Sequence, residues 1–220
     1  MKSFFYKSAL LLISILILSI MDFTANANEK LCIKLNEPRL EKGLPVMRAF
    51  KNRHSEREWA DSTVSLEDMS DLLWAADGVN RSNGKRTAPS ALGKNDIDIY
   101  VFTAKGAYLY VPQSHELRLV ASGDNRQMII GGQPNITQLP PLALVYVSIP
   151  SRFGISDPEA ANNMGYIDGG MVSENVGLFC AGNGLVTVPR YTMDRKGITG
   201  LLSLPSEAIL LLNDLIGYPA

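Results

Sequence analysis

Residues 166–188 read "YIDGGMVSENVGLFCAGNGLVTV", a long helical pattern that leads through a glycine into a strand. Ser156-Asp157-Pro158 is typical of a helix start, and the pattern carries the helix to about Ala181. The residues predicted to share one apolar face are Ala160, Met164, Ile167, Met171 and Leu178. The following "GLVTV" predicts a short strand. This stretch therefore indicates a domain that combines a long helix with a sheet.

Two shorter helices are predicted upstream of this helix. The first lies in "GLPVMRAFKNR" (43–53), where Pro45 occupies the first turn. Its apolar stripe consists of Val46, Met47, Ala49 and Phe50. The second lies in "SLEDMSDLLWAADGVN" (65–80), where Ser65 and Asp68 form a capping-box pattern and a glycine ends the helix. Residues 28–41, before both helices, are expected to be a loosely ordered arm.

The predicted strands follow a long polar loop at residues 79–96. Alternating residues in "IDIYVFTAKGAYLYV" (97–111) and "HELRLVAS" (115–122) predict a three-stranded antiparallel meander. "PLALVYVSI" (141–149) is typical of a buried strand, whereas residues 209–216 fit a strand or a helix equally well. With no internal repeat, residues 28–220 are expected to form one α+β domain.

The first 27 residues have the pattern of a secretory signal peptide. Lys2 and Lys7 precede an apolar run that is too short to span a membrane, and Ala25-Asn26-Ala27 offers a cleavage site. We expect an exported protein, periplasmic or secreted, without a stable membrane anchor after cleavage. The net charge of −1 gives no reason to expect a nucleic-acid partner.

The cysteine and histidine content limits the chemistry of the chain. Export permits a disulfide between Cys32 and Cys180, but their positions favour two free thiols. Two histidines in all make a histidine-based metal site improbable, and no metal site is predicted.

The segment "RHSER", residues 53–57, concentrates groups that bind anions. If the first helix continues through it, Arg53 and Arg57 share one face, with Ser55 at its edge and His54 between them. Two guanidiniums and a hydroxyl suit a phosphate monoester, and side-chain charge is needed because a helix C-terminus carries a negative partial charge. The alternative is a solvated face whose arginines pair with the acidic residues Glu56, Glu58 or Asp61.

From about Gly43 to Pro219 the chain resembles the flavoproteins of the nitroreductase family. "RHSER" resembles the family's Arg-x-Ser-x-Arg/Lys element, which holds the FMN phosphate and ribityl chain. "DLLWAADGVNR" resembles the next helix, and "RTAPSA" (86–91) the Pro-Ser loop that reaches the flavin from the neighbouring subunit. The 166–188 stretch and "LIGYP" resemble the core helix, the strand beside the flavin ring and the closing strand. The resemblance implies an antiparallel sheet flanked by helices, in a homodimer with FMN at its interface.

The resemblance also implies which residues contact FMN. They are Arg53, His54, Ser55 and Arg57 at the phosphate and ribityl chain; Pro89, Ser90 and Ala91 over a ring face; and the backbone of Gly184, Leu185 and Val186 near N5. Arg57 or Lys94 would place positive charge near N1 and the C2 carbonyl. The chain departs from the family at Gly93 and Asn95, where an Asn and a Gln are usual, and at Glu174, where a Gln is usual.

Other parts of the predicted site have alternatives. Many family members complete the phosphate site with a basic cluster beyond the last strand, and here Arg190 or Arg195 is the candidate substitute. Asp168, midway along the long helix, is either a satisfied interface carboxylate or a group on the substrate side. No residue is assigned a catalytic role, since the flavin performs the hydride chemistry.

The expected activity is hydride or electron transfer from a reductant such as NAD(P)H to a small flat acceptor, a quinone or a nitroaromatic. Because nicotinamide cofactors are scarce outside the cytoplasm, another donor, or an oxidation like that of thiazoline-forming relatives, stays open. Two further alternatives are a flavin-binding or electron-carrier protein without its own substrate, and an exported binding protein that has lost FMN.

Overall fold

The computed structural model describes residues 32–220, so the predicted signal peptide lies outside the described residues. The centre of the fold is an antiparallel sheet with the strand order β1-β4-β3-β2-β5-β7-β6. Its strands are β1 (Cys32–Lys34), β2 (Ile97–Thr103), β3 (Gly106–Val111), β4 (Glu116–Ser122), β5 (Leu142–Ser148), β6 (Val186–Arg190) and β7 (Ile209–Gly217). This sheet and its helices confirm the predicted α+β class.

Five α-helices accompany the sheet in the described part of the chain. They are α1 (Val46–Asn52), α2 (Leu66–Asp77), α3 (Gln127–Ile130), α4 (Pro158–Asn183) and α5 (Arg195–Leu201). Helix α4 contacts α1, α2 and strands β5, β6 and β7. None of the helices between residues 32 and 220 has the length and apolarity needed to cross a membrane.

The local signals in the sequence mark most elements correctly. The meander is confirmed as β2, β3 and β4, each paired antiparallel with the next. The Ser65 hydroxyl accepts the Asp68 N–H at 3.0 Å, so the capping box at the start of α2 is present. The Asp157 side chain caps α4 by accepting the N–H groups of Glu159 and Ala160. The ambiguous segment before Tyr218 is strand β7, because it pairs with both β5 and β6.

One prediction about the N-terminal region is wrong, and a helical continuation considered for it does not form. Part of the expected loose arm is strand β1, and just after it the Leu35 N–H donates to the His115 carbonyl at 3.1 Å. Helix α1 ends at Asn52 and does not continue through the "RHSER" segment. Arg53 follows it with extended backbone angles, φ −61° and ψ 117°, so the predicted helical register between Arg53 and Arg57 does not exist.

The apolar face predicted for the long helix is not its core face. Ile167 is 57% exposed and Met171 is 40% exposed, and Tyr166 beside them is 52% exposed. The buried side of α4 is made mostly of small residues, namely Ala161, Gly165, Gly169, Val172, Ser173, Val176 and Cys180, together with Asp168. The prediction is wrong because this helix has two apolar faces, and the spacing of the large apolar residues in the sequence identifies the exposed face and not the buried one.

Small residues on the buried side allow α4 to lie very close to the sheet. A Cβ atom on Gly169 would stand 2.3 Å from the Leu211 side chain, and one on Gly165 would stand 2.3 Å from the Ser148 hydroxyl. At Gly165 the Ser148 Cβ is also within 2.9 Å, so a side chain there would displace the strand, whereas at Gly169 only the Leu211 methyl would have to move. The helix therefore has a fixed depth and orientation on the sheet.

Candidate functional site

The "RHSER" segment runs beside strand β6. The Glu56 N–H donates to the carbonyl of Thr187, the second residue of β6, at 3.0 Å. Arg53 lies against α4, since a Cβ on Gly177 would be 3.9 Å from its Cδ atom. The segment is thus held between α1, the C-terminal end of α4 and β6.

The two guanidiniums of this segment carry no ion pair. Arg53 and Arg57 are exposed, and within residues 32–220 neither has a carboxylate oxygen within 4.0 Å. The Glu56 carboxylate instead accepts the N–H groups of Arg57 and Glu58 at 2.7 and 3.2 Å. These bonds, that from Arg57 above all, lower the pKa of Glu56. The alternative of a surface ion-pair face is therefore not what the chain forms.

The other two members of the segment are also at the surface. His54 and Ser55 are exposed, and the His54 Nδ1 atom lies 2.7 Å from the Asn52 carbonyl. The His54 Nε2 atom is 3.8 Å from the Glu56 carboxylate. The segment therefore presents two cationic side chains, an imidazole and a hydroxyl to the space outside it.

Arg190 and Arg195 do not extend this cluster of free cations. Arg190 is buried and donates to the carbonyls of Ile129 and Ile130 at 3.1 and 2.7 Å. Arg195 donates to the Leu211 carbonyl at 3.1 Å and stacks on the Tyr191 ring. Both side chains serve to connect segments of the fold.

The positive charge of the segment also affects the buried residue Arg190. Burial and then the positive charge of Arg57 lower the pKa of Arg190. An arginine pKa that falls next to a second arginine marks a place where positive charge is in excess. An anion bound here would relieve that excess, which fits the phosphate prediction.

A small cavity lies between this segment and the start of β6. It measures about 20 Å³, and its lining includes His54, Glu56, Cys180, Leu185 and Thr187. The Thr187 hydroxyl is buried there without a hydrogen-bond partner in the described chain. Because a buried polar atom without a partner is costly, this hydroxyl is available to a ligand at the site. Sequence reasoning missed Thr187, since a threonine in a strand carries no distinguishing signal.

The turn after α4 is open on one side. Gly184 has φ +73°, and no atom lies within 4 Å of the position that a Cβ would take. The N–H groups of Gly184 and Leu185 both donate to the Cys180 carbonyl. A flavin nitrogen at this turn would therefore accept from N–H groups that already donate to the Cys180 carbonyl, or it would contact the backbone of Val186.

The Pro-Ser loop contacts a different part of α4. The Ala91 N–H donates to the Asp168 carboxylate at 2.7 Å, and the Ser90 hydroxyl accepts the Asn95 N–H at 2.8 Å. Pro89 is exposed, whereas Ser90 and Ala91 are half-buried. Asp168 is buried and accepts this bond, so it is a satisfied carboxylate that is not open to a substrate in the single chain.

The predicted contacts fall into two groups that one chain does not bring together. Arg53 meets α4 at Gly177, and Ala91 meets it at Asp168, nine residues earlier. Nine residues of helix correspond to about 14 Å along the axis. Lys94 lies near the second group, in a cleft of about 400 Å³ that also contains Arg86 and Arg152. The resemblance implies that a second copy of the chain completes the site.

Comparison with known proteins places the chain in a family. Residues 50–218 match the model of the nitroreductase family. A protein of Methanocaldococcus jannaschii that is named as a nitroreductase is 25% identical over 168 residues, which cover 73% of this chain and 85% of that protein.

Solved structures agree with this match. A crystal structure described as that of a nitroreductase from Ralstonia eutropha JMP134 has a TM-score of 0.81 and 36% identity, and the match covers 86% of this chain and 90% of that one. A chain of the Escherichia coli microcin synthetase complex has a TM-score of 0.66 at 18% identity, covering 86% and 78% of the two chains, and shows the fold alone. The chain is therefore an oxidoreductase that belongs to the nitroreductase family, whose members generally use flavin cofactors and are generally dimeric.

Proposed function

We propose that this protein is an exported, FMN-dependent oxidoreductase that takes hydride from a donor such as NAD(P)H and reduces a small flat acceptor of the quinone or nitroaromatic type. The observation that carries the proposal is the pair of exposed guanidiniums, Arg53 and Arg57, which have no carboxylate partner within the described chain. They lie in a member of a flavin-using family, at the segment whose family counterpart binds the flavin phosphate.

The phosphate monoester of FMN suits this pair. Each guanidinium offers two parallel N–H donors to a phosphate, and Ser55 adds a hydroxyl. The negative end of α1 lies next to Arg53, so an anion here depends on side-chain charge for its binding. Riboflavin lacks the phosphate and would gain nothing from either arginine. The chain therefore selects FMN over riboflavin through Arg53 and Arg57.

The flavin ring is held by residues of two subunits in this proposal. The open turn at Gly184 admits the ring edge, and Pro89, Ser90 and Ala91 of a second copy cover one ring face. The surface available for that second copy includes the exposed apolar residues Val46, Met47, Phe50, Tyr166, Ile167 and Met171 of α1 and α4. An apolar surface of this kind on a globular protein is typical of a subunit interface.

The flavin and the site residues have different roles in the proposed reaction. When bound, the flavin supplies the acceptance and donation of hydride. Because Arg57 is assigned to the phosphate, the side chain of Lys94 would oppose negative charge on the pyrimidine half of the ring system. The remaining site residues bind the phosphate, orient the ring and cover it from water, so no acid, base or nucleophile of the chain is required.

The colour of the purified mature protein tests the cofactor. We expect a yellow protein that releases FMN, and not FAD, on denaturation. A colourless protein that also fails to bind added FMN would contradict the proposal and favour a binding protein without flavin. The mature N-terminus of exported protein should be Asn28, which N-terminal sequencing checks.

Turnover measurements test the reaction. Steady-state rates with NADH and NADPH, each combined with a quinone and a nitroaromatic acceptor, should show reduction that depends on bound FMN. A protein that binds FMN tightly but turns over none of these pairs, while exchanging electrons with a chemical reductant, is an electron carrier instead. The matched control is the same protein after removal and readdition of FMN.

A further inference from the structure

Two buried carboxyl groups face each other behind the Pro-Ser loop. Asp168 on α4 accepts the Ala91 N–H at 2.7 Å, and Asp96, just before β2, accepts the Ser148 hydroxyl at 2.5 Å. Asp96 is fully buried and Asp168 is 2% exposed. Both side chains border one small cavity, and the second oxygen of Asp96 is buried without a hydrogen-bond partner in the described chain.

Two ionised carboxylates are not stable in this arrangement. A hydrogen bond between them needs one proton, and like charges in a poorly solvated site strongly oppose double ionisation. Burial, and then the hydrogen bond and charge of Asp168, raise the pKa of Asp96 to about 7, against the opposing effect of Ser148. The adjoining cavity, about 10 Å³ and bordered by Asp96, Asp168 and Ser90, has no room to hydrate two charges.

The charged groups around the pair do not neutralise it. Arg86, in the loop before Pro89, pairs with Asp77 of α2 at 2.5 Å. Arg152, which follows β5, pairs with Asp98 of β2 at 2.8 Å and gives Asp96 only a bond to its main-chain carbonyl. Lys94 is exposed, and in the described chain no cation forms an ion pair with either buried carboxylate. The negative charge of Asp77 adds to the cost of ionising both members.

We propose that Asp96 and Asp168 share one proton, and that this singly protonated pair positions the Ser90–Ala91 turn over the flavin ring. The proton lies on the Asp96 oxygen that has no other partner and is donated to Asp168. Asp168 keeps its charge and accepts both this bond and the Ala91 N–H. Both are positioning residues, and their effect on flavin rests on the proposed function.

Loss of the shared proton would move the loop. Two adjacent negative charges repel each other, so the Asp168 side chain would move away from Asp96. Ala91 would move with it, because the Ala91 N–H donates to the Asp168 carboxylate. Flavin binding should therefore weaken as the pH rises through the range in which the pair loses its proton. A merely structural contact would give no such pH profile.

The test measures FMN affinity between pH 6 and pH 8.5 for the wild type and the Asp96→Asn variant. An asparagine amide donates permanently to Asp168 and still accepts from Ser148, so it imitates the protonated state. We expect the wild type to bind FMN about tenfold more weakly at pH 8.5 than at pH 6, since one pKa unit corresponds to a factor of ten. Asp96→Asn should bind equally well across this range, and the control Glu159→Gln, at an exposed carboxylate in the first turn of α4, should keep the wild-type profile.

A second measurement does not depend on flavin. Infrared difference spectra of the flavin-free protein should contain a protonated carboxyl band that disappears near pH 7 and is missing from Asp96→Asn. If the band is present but the protein binds no FMN, the shared proton stands and the proposed function fails. If FMN binds but the carboxyl band that titrates near pH 7 is absent or is unchanged in Asp96→Asn, or if Asp96→Asn keeps the wild-type pH profile, the shared proton is overturned.

Discussion

The N–H of Glu56 and the carbonyl oxygen of Thr187 are joined by a hydrogen bond of 3.0 Å, which attaches the "RHSER" segment to the strand that follows the long helix. The segment therefore lies beside β6, and it does not continue α1 with Arg53 and Arg57 on one helical face. This arrangement leaves Arg53 and Arg57 exposed after the end of α1. The proposed phosphate site is thus attached to the sheet as well as to α1.

Replacing Arg53 by alanine should weaken FMN binding far more than riboflavin binding. Each set of charged hydrogen bonds contributes about 1.5–3 kcal/mol, so the loss should be about 10- to 150-fold for FMN. Arg53→Lys should recover only part of the affinity, because an ammonium group lacks the bidentate geometry. Titration of both variants with both flavins measures these effects.

Arg48→Ala is the matched control for this experiment. Arg48 is an exposed arginine on α1, five residues before Arg53, and should leave the affinity for both flavins unchanged. Equal losses for FMN and riboflavin in Arg53→Ala would show that the phosphate assignment is wrong.

A charge on the outer face of α4 should prevent dimer formation. Ile167→Lys places two unpaired ammonium groups in the proposed interface, which costs about 3 kcal/mol or more and weakens association at least about a hundredfold. Sedimentation should then show a monomer with reduced FMN content. Val120→Lys, at a partly exposed apolar position on β4, should remain dimeric. A wild-type monomer that retains its full FMN content would rule out the shared site.

Stability should fall as the pH rises from 4 to 7. Burial raises the pKa of Asp214 to about 6, although the Tyr146 and Ser173 hydroxyls, donating at 2.5 and 2.9 Å, oppose the rise. The folded state therefore binds more protons than the unfolded state in this window, and the free energy of unfolding decreases with pH. The raised pKa of Asp96 also makes the free energy of unfolding decrease with pH, up to about pH 7.

The Asp214→Asn variant isolates this contribution. Its free energy of unfolding should vary less with pH than that of the wild type, by at most about 3 kcal/mol over the window. Urea denaturation at pH 4.5 and pH 7 measures the difference. A variant whose pH dependence equals that of the wild type would show that Asp214 titrates normally in the folded chain. Asp68, with a pKa lowered to about 2, affects only more acidic solutions.

The two cysteines should differ in reactivity. Both are free, as the sequence analysis predicts, but Cys180 is fully buried and burial raises the pKa of its thiol. Alkylation of the native protein should label Cys32 alone, and Cys180 should react only after unfolding. Mass spectrometry of the labelled peptides distinguishes the sites. Rapid labelling of both thiols in native protein would contradict the packing of α4.

Local signals allowed much of the fold to be predicted from sequence. The capping pair Ser65 and Asp68, the alternation in the meander and the Asp157 start of α4 depend on neighbouring residues only. Strand β1 within the expected loose arm and the outward face of α4 were mispredicted, because each is decided by contacts between distant parts of the chain. In the site, the arginine pair was visible as a motif, whereas Thr187 and the link from Asp168 to Ala91 were not.

The close approach of Gly165 to the sheet also governs how sequence variation in this protein should be interpreted. A side chain at Gly165 would push α4 away from β5 and shift the residues on its buried side, including Asp168. A deep mutational scan scored by colour or turnover would then rank Gly165 beside the proposed flavin-binding residues. Its intolerance to substitution would reflect the distance between the helix and the sheet, and not a contact with flavin.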